Sequence, residues 1–390
     1  MVNLNRLTVK RMHLVSREAS RTNRIICIKA GVCPLILNRL SGRNARKEVL
    51  CMKTLITGVA GFIGAKAADL LLEAGHKVMG IDNLNDYYDP TLKRDRLRHF
   101  SGKKSLQFVQ ANIEDPDVVM DLFQTHKFDN VIHLAAQAGV RYSIDNPRAY
   151  LQSNLVGTFE ILEAARAHPP RHMLLASTSS AYGANIAMPY QEIHKADHQM
   201  SFYAATKKAN ESMAHSFAHL YELPITMFRF FTVYGPWGRP DMAPMKFAKK
   251  ILAGEPIDVY NHGNMQRDFT YVDDLVHAIH LLLNTPPTDR SVSEEFDSLS
   301  PVAPFRVVNI GNSSPVELSH FISTLETALG KKAIQNLMDM QPGDVPATWA
   351  DTRLLEALTG YCPRTGIETG VSALARWYLD YYGKYKDLVK

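Results

Sequence analysis

The sequence predicts an α/β protein with a doubly wound parallel sheet, followed by a smaller mixed α/β C-terminal part. Three observations predict this class: strand-like and helix-like segments alternate from Met52 to about Phe231, a glycine-rich turn follows the first strand, and polar motifs follow later strands. In open parallel sheets the ligand crevice lies at the carboxyl ends of the strands. We therefore expect a binding cleft at that edge.

Short apolar runs predict the strands, and longer periodic patterns predict the helices between them. The predicted strands are 53–57, 77–82, 106–110, 130–134, 172–177 and 225–231. The predicted helices are 65–74, 116–126, 147–167 and 202–221. This alternation is typical of a sheet with helices on both faces.

The pattern changes past Tyr234, where elements shorten, Pro and Gly become frequent, and we expect no further strand–helix–strand units. The stretch 285–304, rich in Pro, Ser and acidic residues, predicts a surface loop. Helical patterns return at 315–329 and 366–382.

Residues 1–51 form a basic leader with eleven Lys or Arg and two Glu, whereas the remainder has 33 basic and 37 acidic residues. The main body is therefore not a basic nucleic-acid binder. The leader's longest apolar stretch, near 25–37, contains Lys29 and is too short to span a bilayer, so we expect no membrane partner. Three interpretations stay open: translation from Met52, an organellar transit segment, or a basic tail with another role. In each case we expect residues 1 to about 50 to be disordered.

Cysteine usage favours a reducing, cytoplasmic location. Three of the four cysteines lie in the leader, which leaves Cys362 alone in the rest of the chain. Neither a disulfide framework nor the ligand spacing of a zinc site is present in the sequence.

The strand at 53–57, the turn Gly58-Val59-Ala60-Gly61-Phe62-Ile63-Gly64 and the following helix predict a dinucleotide-binding Rossmann unit. Gly58 permits the tight turn, Gly61 lets the backbone approach a pyrophosphate, and Gly64 allows close helix packing. Asp82 ends the next strand, where a carboxylate accepts from ribose hydroxyls and repels a 2′-phosphate, so we expect NAD rather than NADP. The alternative is a glycine turn that binds no ligand and only connects strand to helix.

Tyr203 and Lys207 lie one helical turn apart, after the hydroxyl-rich run Ser177-Thr178-Ser179-Ser180. We expect the ammonium of Lys207 to lower the pKa of the Tyr203 phenol, so that the phenolate takes a proton from an alcohol while hydride leaves the same carbon. The spacing alone is weak evidence, because Tyr382 and Lys386 repeat it in a charged tail where we expect nothing around them.

These motifs, together with the Leu134-Ala135-Ala136 run, resemble those of the extended short-chain dehydrogenases that act on nucleotide sugars. The resemblance covers essentially Met52 to the C-terminus. Longer stretches are similar to UDP-glucuronate 4-epimerases: Asp82-Asn83-Leu84-Asn85-Asp86-Tyr87-Tyr88, Ala136-Gln137-Ala138-Gly139-Val140-Arg141-Tyr142, Pro236-Trp237-Gly238-Arg239-Pro240-Asp241-Met242 and Gln266-Arg267-Asp268-Phe269. The resemblance implies an NAD-binding domain at 52–235 and a part at 236–390 that mainly binds the UDP-sugar.

The resemblance also implies catalytic roles for three side chains. Tyr203 would be the base, Lys207 would hold the nicotinamide ribose, and Thr178 would hydrogen-bond the sugar O4. The remaining implied cofactor contacts are Phe62, Ile63, Asn83, Asn112, Ile113, Leu134, Ala135, Ala136 and Phe230. Relatives often have Asp at position 112, which puts only the adenine assignment in doubt.

On the substrate side, the resemblance implies that Asn154 holds the sugar or orders the site. Arg267 would meet the UDP pyrophosphate with directed donors, and Asp344 would help shape the nucleotide pocket. The residues after Thr178 then distinguish sibling reactions. Ser179 and Ser180 provide neither the acid–base pair of a 4,6-dehydratase nor the Glu of a decarboxylase.

The favoured activity is therefore 4-epimerisation of UDP-glucuronate to UDP-galacturonate through a 4-keto intermediate with tightly bound NAD. The alternatives are a UDP-hexose 4-epimerase, a UDP-glucuronate decarboxylase, and a non-catalytic dinucleotide-binding scaffold. A 4-keto uronate is a β-keto acid that loses CO2 readily. We expect Ser179, Ser180 and Thr232 to hold its carboxylate, with Arg239 near enough to help. The two serines are otherwise turn residues, and the arginine a solvated loop residue.

Two further expectations concern packing. His133 ends an apolar strand and is expected to be a satisfied core histidine. The family resemblance implies a homodimer in which helices 147–167 and 202–221 pack against their symmetry mates. An apolar stripe on the first helix either forms that interface or covers its own sheet. The stripe consists of Leu151, Leu155, Phe159 and Leu162.

Overall fold

The structure, a computed structural model, describes residues 51–288, 294–341 and 344–386. Side chains are described as far as residue 384. The expected disorder of the leader concerns residues 1–50, which lie outside the described residues, and it stays a prediction. Within the described ranges, no helix combines the length and the apolar character needed to cross a bilayer.

Thirteen strands occur along the described chain. In chain order they are β1 Lys53–Thr57, β2 Lys77–Asp82, β3 Leu106–Gln110, β4 Asn130–His133, β5 His172–Ala176, β6 Ile225–Phe230, β7 Thr232–Tyr234, β8 Pro256–Tyr260, β9 Gln266–Tyr271, β10 Phe305–Ile310, β11 Pro315–Glu317, β12 Ile334–Met338 and β13 Ala347–Thr348. Seven of them form the central sheet, in the order β10-β6-β5-β4-β1-β2-β3, and every pairing in it is parallel. The predicted doubly wound parallel sheet is therefore confirmed.

The helices lie between these strands. They are α1 Phe62–Glu73, α2 Pro90–Arg98, α3 Pro116–His126, α4 Tyr142–Asp145, α5 Pro147–Tyr150, α6 Gly157–Ala167, α7 Phe202–Tyr221, α8 Ala243–Ala253, α9 Val272–Leu282, α10 Leu318–Leu329, α11 Arg353–Thr359 and α12 Ile367–Lys386. A π-helical stretch, Leu151–Val156, joins α5 to α6. The helix predicted over 147–167 is thus continuous but changes its winding in the middle.

Local signals explain the helix bounds that were predicted correctly. The Asp115 side chain accepts hydrogen bonds from the first turn of α3, and Pro116 occupies the first helical position. Ser201 caps α7 by accepting from the Ala204 amide at 3.1 Å. The prediction at 315–329 is wrong in its first turn, because 315–317 pairs with β9 as a strand and the helix begins at Leu318.

The expectation that strand–helix–strand units end at Tyr234 is wrong. α9 packs beside α1, and β10 adds the seventh strand next to β6, with Phe305 opposite Ile225. All six residues of β10 are buried, so this short apolar run is a central-sheet strand despite the Pro- and Ser-rich segment before it. The central sheet therefore draws on the chain beyond residue 236.

The predicted surface loop at 285–304 contains neither helix nor strand in its described parts. Its second half is only partly at the surface, however, because exposed residues such as Val302 alternate with buried ones. Leu299 and Ala303 are buried, and the buried Asp297 carboxylate forms two hydrogen bonds with the Arg306 guanidinium. This ion pair fastens the loop to the start of β10.

The remaining strands form two small sheets that cover the carboxyl edge. One has the order β11-β9-β13, with β7 also pairing β9, and the other is the pair β12-β8. Phe269 of β9 stacks on Phe321 of α10 at 4.4 Å between ring centroids, and Tyr234 meets both rings edge-on. This aromatic core holds the mixed α/β C-terminal part together.

Candidate functional site

A cleft with a cavity volume of about 470 Å³ opens at the carboxyl ends of the central strands. Most of the residues predicted for the site line it, so the expected position of the crevice is confirmed. The lining members are Gly58, Gly61, Phe62, Ile63, Gly64, Asp82, Asn83, Ile113, Leu134, Ala135, Ala136, Thr178, Ser179, Ser180, Tyr203, Lys207, Phe230, Thr232, Arg239, Arg267 and Asp344.

Two predicted site residues do not line the cleft. Asn112 is exposed, and its side-chain oxygen accepts from Asn83 Nδ2 at 2.9 Å. Asn154 is fully buried in the π-helical stretch, where its side chain hydrogen-bonds the Gln137 amide and carbonyl and the Thr206 hydroxyl. Because both side-chain polar atoms of Asn154 are bonded within the protein, its contacts are those of a residue that orders the site rather than one that holds the sugar.

The glycine turn brings strand, helix and the loop after β4 into unusually close contact. Gly58 has φ +71°, and a Cβ there would lie 2.9 Å from the Ala135 amide nitrogen. A Cβ on Gly64 would lie 2.1 Å from the Gly58 carbonyl oxygen. No larger side chain fits either position without moving the backbone. α1 begins directly after Gly61 with no side-chain cap and no acidic residue in its first turn. Its free amides therefore suit an anion at the cleft.

Asp82 lies at the end of β2 with its carboxylate facing this turn. The carboxylate accepts from the Ala60 amide at 3.1 Å and from the Leu84 amide at 2.9 Å. An ionised carboxylate has about four acceptor positions, so two such bonds leave capacity for ribose hydroxyls. Together with the uncapped helix and the excluded Cβ positions, these residues fit NAD: the glycine turn would meet the pyrophosphate and Asp82 the adenosine ribose.

The Tyr–Lys pair lies on α7, facing the end of β5. Tyr203 and Thr178 both line the cleft, and the Thr178 hydroxyl lies near enough to the phenol to oppose the rise of its pKa. Thr178 also caps the short turn Ser179–Tyr182 by accepting from the Ser180 amide at 3.2 Å. Lys207 is buried and donates from Nζ to the Ala176 carbonyl at 3.0 Å. The structure therefore brings Thr178, Tyr203 and Lys207 together.

The expected lowering of the Tyr203 pKa by Lys207 is wrong for this structure. Burial raises the pKa of the Tyr203 phenol above its ordinary 10, and the Thr178 hydroxyl and the Arg239 charge oppose that rise. Burial also lowers the pKa of Lys207 to about 8. Desolvation disfavours the charged form of both groups, so a helical spacing of four residues does not by itself determine the sign of the shift.

The second Tyr–Lys pair differs from its expected description as well. Tyr382 is not isolated: its ring packs against Tyr378 at 4.5 Å and against Tyr381 at 4.9 Å between centroids. The side chain of Lys386 lies outside the described residues. Tyr382 belongs to the core of the C-terminal part and does not line the cleft.

The part of the cleft beside Thr178 combines hydroxyl groups with a guanidinium. Ser179, Ser180 and Thr232 line it, and the two serines also form the turn after Thr178. Arg239 is not a solvated loop residue, because its side chain is only 22% exposed. It donates from Nε and Nη2 to the Asp241 carboxylate at 3.1 and 2.6 Å. Burial opposes the charge of Arg239, but Asp241 raises its pKa and keeps it cationic.

Arg267 and Asp344 stand at the other end of the cleft. Arg267 Nη1 donates to the Gln266 and Pro346 carbonyls at 2.9 and 3.1 Å. Burial lowers the pKa of Arg267, opposed by the charge of Asp344. The Asp344 carboxylate also accepts from Arg141 at 3.4 Å, and the Arg141 guanidinium lies 4.2 Å from the Tyr260 ring centroid. Arg267 therefore places a guanidinium in the cleft, where it suits an anionic group such as a pyrophosphate, and Arg141 braces Asp344 from outside the cleft lining.

His133 is a core histidine, as expected. It is 2% exposed and hydrogen-bonded through both ring nitrogens, to Thr57 at 2.7 Å and to Thr158 at 3.0 Å. Burial, followed by the nearby charge of Lys207, lowers its pKa to about 3. His133 is therefore neutral near pH 7 and fastens β1 to β4 and α6.

Sequence reasoning missed the contribution of α2 to the cleft. Its buried Lys93 lines the cleft and donates to the Asn85 carbonyl at 2.8 Å. The fully buried Arg96 joins the glycine turn to the C-terminal part by donating to the Ala60 carbonyl at 2.9 Å and to the Trp237 carbonyl at 2.7 Å. The signal that would have found this helix is Asp89 before Pro90, a capping residue followed by proline at the first helical position.

The fold and the site together define the class of protein. A parallel sheet with a glycine turn, a carboxylate after β2 and a Tyr–Lys pair on one helix is the arrangement of an extended short-chain dehydrogenase/reductase. The family model described as GDP-mannose 4,6 dehydratase matches residues 55–374. The chain belongs to this family.

Individual relatives are more specific. The chain is 52% identical over 330 residues to a probable UDP-glucuronate 4-epimerase of Rhizobium meliloti, covering 84% of this chain and 97% of that protein. It is 51% identical over 335 residues to the protein CapI of Staphylococcus aureus, covering 85% and 100%. Its structure is similar to UDP-glucuronic acid 4-epimerase from Bacillus cereus in complex with UDP-glucuronic acid and NAD. That match has a TM-score of 0.75 and 31% identity and covers 85% of this chain and 100% of the other.

The position of Asp82 generates a prediction about cofactor choice. In Asp82→Asn we expect NAD to bind roughly 10-fold more weakly, because a charged acceptor for the ribose is lost, and NADP to bind better, because repulsion is removed. Titration of the NAD-free protein with each nucleotide measures both changes. Asp339→Asn, the same change at a 97% exposed position outside the cleft lining, is the control. An Asp82→Asn protein with unchanged preference would contradict the assignment.

Proposed function

We propose that this protein is a UDP-glucuronate 4-epimerase that interconverts UDP-glucuronate and UDP-galacturonate with a permanently held NAD. The observation that carries the proposal is the meeting of Tyr203 and Thr178 in a cleft that also contains two serines in place of a dehydratase acid–base pair. Relatives and solved structures with this activity support it. In this proposal residues 52–235 mainly hold NAD and 236–390 mainly hold the UDP-sugar.

The reaction needs one group to take and return a proton at the sugar O4. Tyr203 takes it as phenolate, and the Thr178 hydroxyl orients O4 and hydrogen-bonds the phenol. When bound, NAD would supply the acceptor and later the donor of the C4 hydride, and its positive charge would favour the phenolate of Tyr203. The proton from O4 stays on Tyr203 while C4 is a ketone. The proton returns to O4 after the ketone has turned its opposite face to the hydride donor, so no proton or electron is consumed.

The remaining groups position the substrate. Arg267 would meet the pyrophosphate, and Asp344 would shape the nucleotide end through its bond to Arg141. Lys207 would hold the nicotinamide ribose with Nζ donors that its bond to the Ala176 carbonyl does not use. Asn154 orders the loop after β4 from beneath.

The direct test is incubation of the purified protein with UDP-glucuronate and, separately, UDP-glucose, without added cofactor, followed by identification of the sugars. We expect UDP-galacturonate from the first and little conversion of the second. Tyr203→Phe should lose at least about 100-fold in turnover, because general acid–base catalysis contributes roughly that much. Tyr382→Phe, the same change at the other Tyr–Lys spacing, is the control.

Each alternative has its own result in that experiment. Conversion of UDP-glucose alone would indicate a neutral UDP-hexose epimerase, and UDP-pentose as the main product would indicate a decarboxylase. Bound NAD with no turnover of either sugar would indicate a non-catalytic scaffold. Full activity in Tyr203→Phe would remove the proposed base.

With a uronate substrate the 4-keto intermediate is a β-keto acid, so the protein must prevent it from losing CO2. The carboxylate must stay away from the perpendicular alignment that expels CO2, and Ser179, Ser180 and Thr232 supply hydroxyl donors for this purpose. Arg239 adds a cation whose Nε and Nη2 are already bound to Asp241, so its position is fixed before the substrate arrives. Charge-assisted hydrogen bonds contribute about 1.5–3 kcal/mol each, which is enough to favour one rotamer.

We therefore expect Thr232→Ala and Ser180→Ala to raise the proportion of UDP-pentose relative to UDP-galacturonate. One lost bond of this strength shifts the ratio by roughly 10-fold. Chromatography of the products from each variant measures it. Ser153→Ala is the matched control, because Ser153 also lines the cleft but donates to Glu114. An unchanged product ratio in both test variants refutes the restraint.

We also propose a homodimer formed by α6 and α7 with their symmetry mates. Part of the predicted stripe faces outward, with Leu151 39% and Phe159 43% exposed, whereas Leu162 is buried in the protomer's own core. α7 adds Phe202 and Leu220, which are 41% and 63% exposed. Apolar area of this kind on two neighbouring helices suits a second copy of the chain.

Phe159→Glu should convert the dimer to monomer, because it places a charge inside an apolar interface. Light scattering after size-exclusion chromatography gives the molar mass. Leu337→Glu is the control, since Leu337 is 55% exposed on β12, away from these helices. A parent protein that is already monomeric contradicts the dimer.

The reducing cytoplasm is the compartment that we propose for this reaction. Both described cysteines, Cys51 and Cys362, are free thiols. Free thiols are typical of proteins that work in a reducing compartment.

A further inference from the structure

Helix α7 lies against the end of β5 through three successive turns. Tyr203, Lys207 and Glu211 are four residues apart and share one face of the helix. Tyr203 lies in the cleft beside Thr178, whose hydroxyl opposes the rise of the Tyr203 pKa, and Lys207 donates to the Ala176 carbonyl at 3.0 Å. The third, Glu211, accepts from Ser177. Three consecutive residues at the end of the strand thus each lie beside one turn of the helix.

Glu211 does not line the cleft, yet its carboxylate is fully engaged. Oε1 accepts from Ser177 Oγ at 2.6 Å and from Arg229 Nε at 2.8 Å. Oε2 accepts from Arg229 Nη2 at 2.7 Å and from Lys208 Nζ at 3.1 Å. The side chains of Glu211 and Arg229 are 4% and 2% exposed. The carboxylate therefore cannot move without breaking a buried network.

Arg229 extends this network to the neighbouring strand. It lies on β6, which pairs with β5, and its guanidinium stands 4.4 Å from the Tyr182 ring centroid. Burial opposes the charge of Glu211, but Arg229 outweighs it and lowers the Glu211 pKa to about 2. Glu211 is thus ionised across the working pH range, as a fixed acceptor for the Ser177 hydroxyl must be.

A buried ion pair of this kind contributes little net stability, because the desolvation of both charges offsets their attraction. Its directional bonds instead restrict geometry. The geometry restricted here is that of Ser177, the residue immediately before Thr178, while Tyr203 lies on the same helix face as Glu211. The Glu211 carboxylate therefore ties the residue before Thr178 to the helix that carries Tyr203.

We propose that Glu211 is a positioning residue that, through the Ser177 hydroxyl, holds Thr178 against the Tyr203 phenol. This inference rests on the proposed roles of Tyr203 and Thr178. It assigns Glu211 and Ser177 no contact with the reacting atoms. Their effect passes through the Thr178 hydroxyl beside Tyr203, whose displacement would leave the phenol harder to ionise.

The test uses the full chain with its bound NAD and compares Ser177→Ala with the parent. The variant keeps the Glu211–Arg229 pair, so the fold is preserved. We expect kcat for UDP-glucuronate to fall roughly 10-fold with KM within about twofold, because alignment is lost but the substrate contacts remain. The limb of the kcat–pH profile that reports phenolate formation should move to higher pH. Besides Thr178, the groups that interact with Tyr203 are Arg239 and Tyr150, and neither is changed; Lys207, one helical turn along, is also unchanged.

Two companion variants sharpen the comparison. Ser177→Thr restores a hydroxyl and should recover most of the lost kcat and the parental pH profile. Ser212→Ala removes a hydroxyl one residue beyond Glu211 on α7, where it is exposed and bonds only the Lys208 carbonyl, and should behave as the parent. Reduction of the bound NAD on mixing with the nucleotide sugar, followed by absorbance, should slow with kcat in Ser177→Ala.

Either of two results overturns the inference. The first is a Ser177→Ala protein with the parental kcat and the parental pH profile. The second is a fall in kcat with loss of bound NAD and no movement of the pH limb, because that result indicates a merely structural effect. If the proposed function itself is wrong, the experiments give a different result. In that case Tyr203→Phe turns over as fast as the parent, whatever the Ser177 variants do.

Discussion

The docking of α7 against the end of β5 is the constraint on which the site depends. Tyr203 lines the cleft on a helix whose next two turns are bonded to Ala176, the last residue of β5, and to Ser177 directly after it. The Glu211–Arg229 pair extends the attachment to β6. Since the strand positions are fixed by parallel pairing on both sides, the helix inherits the rigidity of the sheet. A phenol placed in this way is held on rigid elements rather than on loops.

Burial and charge oppose each other throughout the cleft. Desolvation raises the pKa of Tyr203 and lowers that of Lys207. The Thr178 hydroxyl and the Arg239 guanidinium oppose the rise of the Tyr203 pKa, and Asp241 keeps Arg239 cationic. In the protein by itself, the neutral phenol is therefore the stable form of the Tyr203 side chain. This suits a base that is needed only when a cationic cofactor and a sugar hydroxyl lie beside it.

The sequence by itself determined the features that depend on neighbouring residues. The glycine turn was predictable because a positive φ at Gly58 and the contact of Gly64 with the Gly58 carbonyl admit only glycine. The bounds of α3 and α7 were predictable because capping side chains and periodic apolar residues are local signals. The carboxyl-edge position of the cleft followed from strand–helix alternation alone.

Only the tertiary structure decided features that join distant parts of the chain. β10 enters the sheet because its apolar residues find β6, about 80 positions earlier, and no local pattern reveals that pairing. The burial of Asn154 and the bond from Arg239 to the Ala138 carbonyl depend on how the loops fold back. The sign of the Tyr203 shift was wrong from sequence because spacing reports proximity along a helix. Desolvation depends instead on everything packed around the side chain.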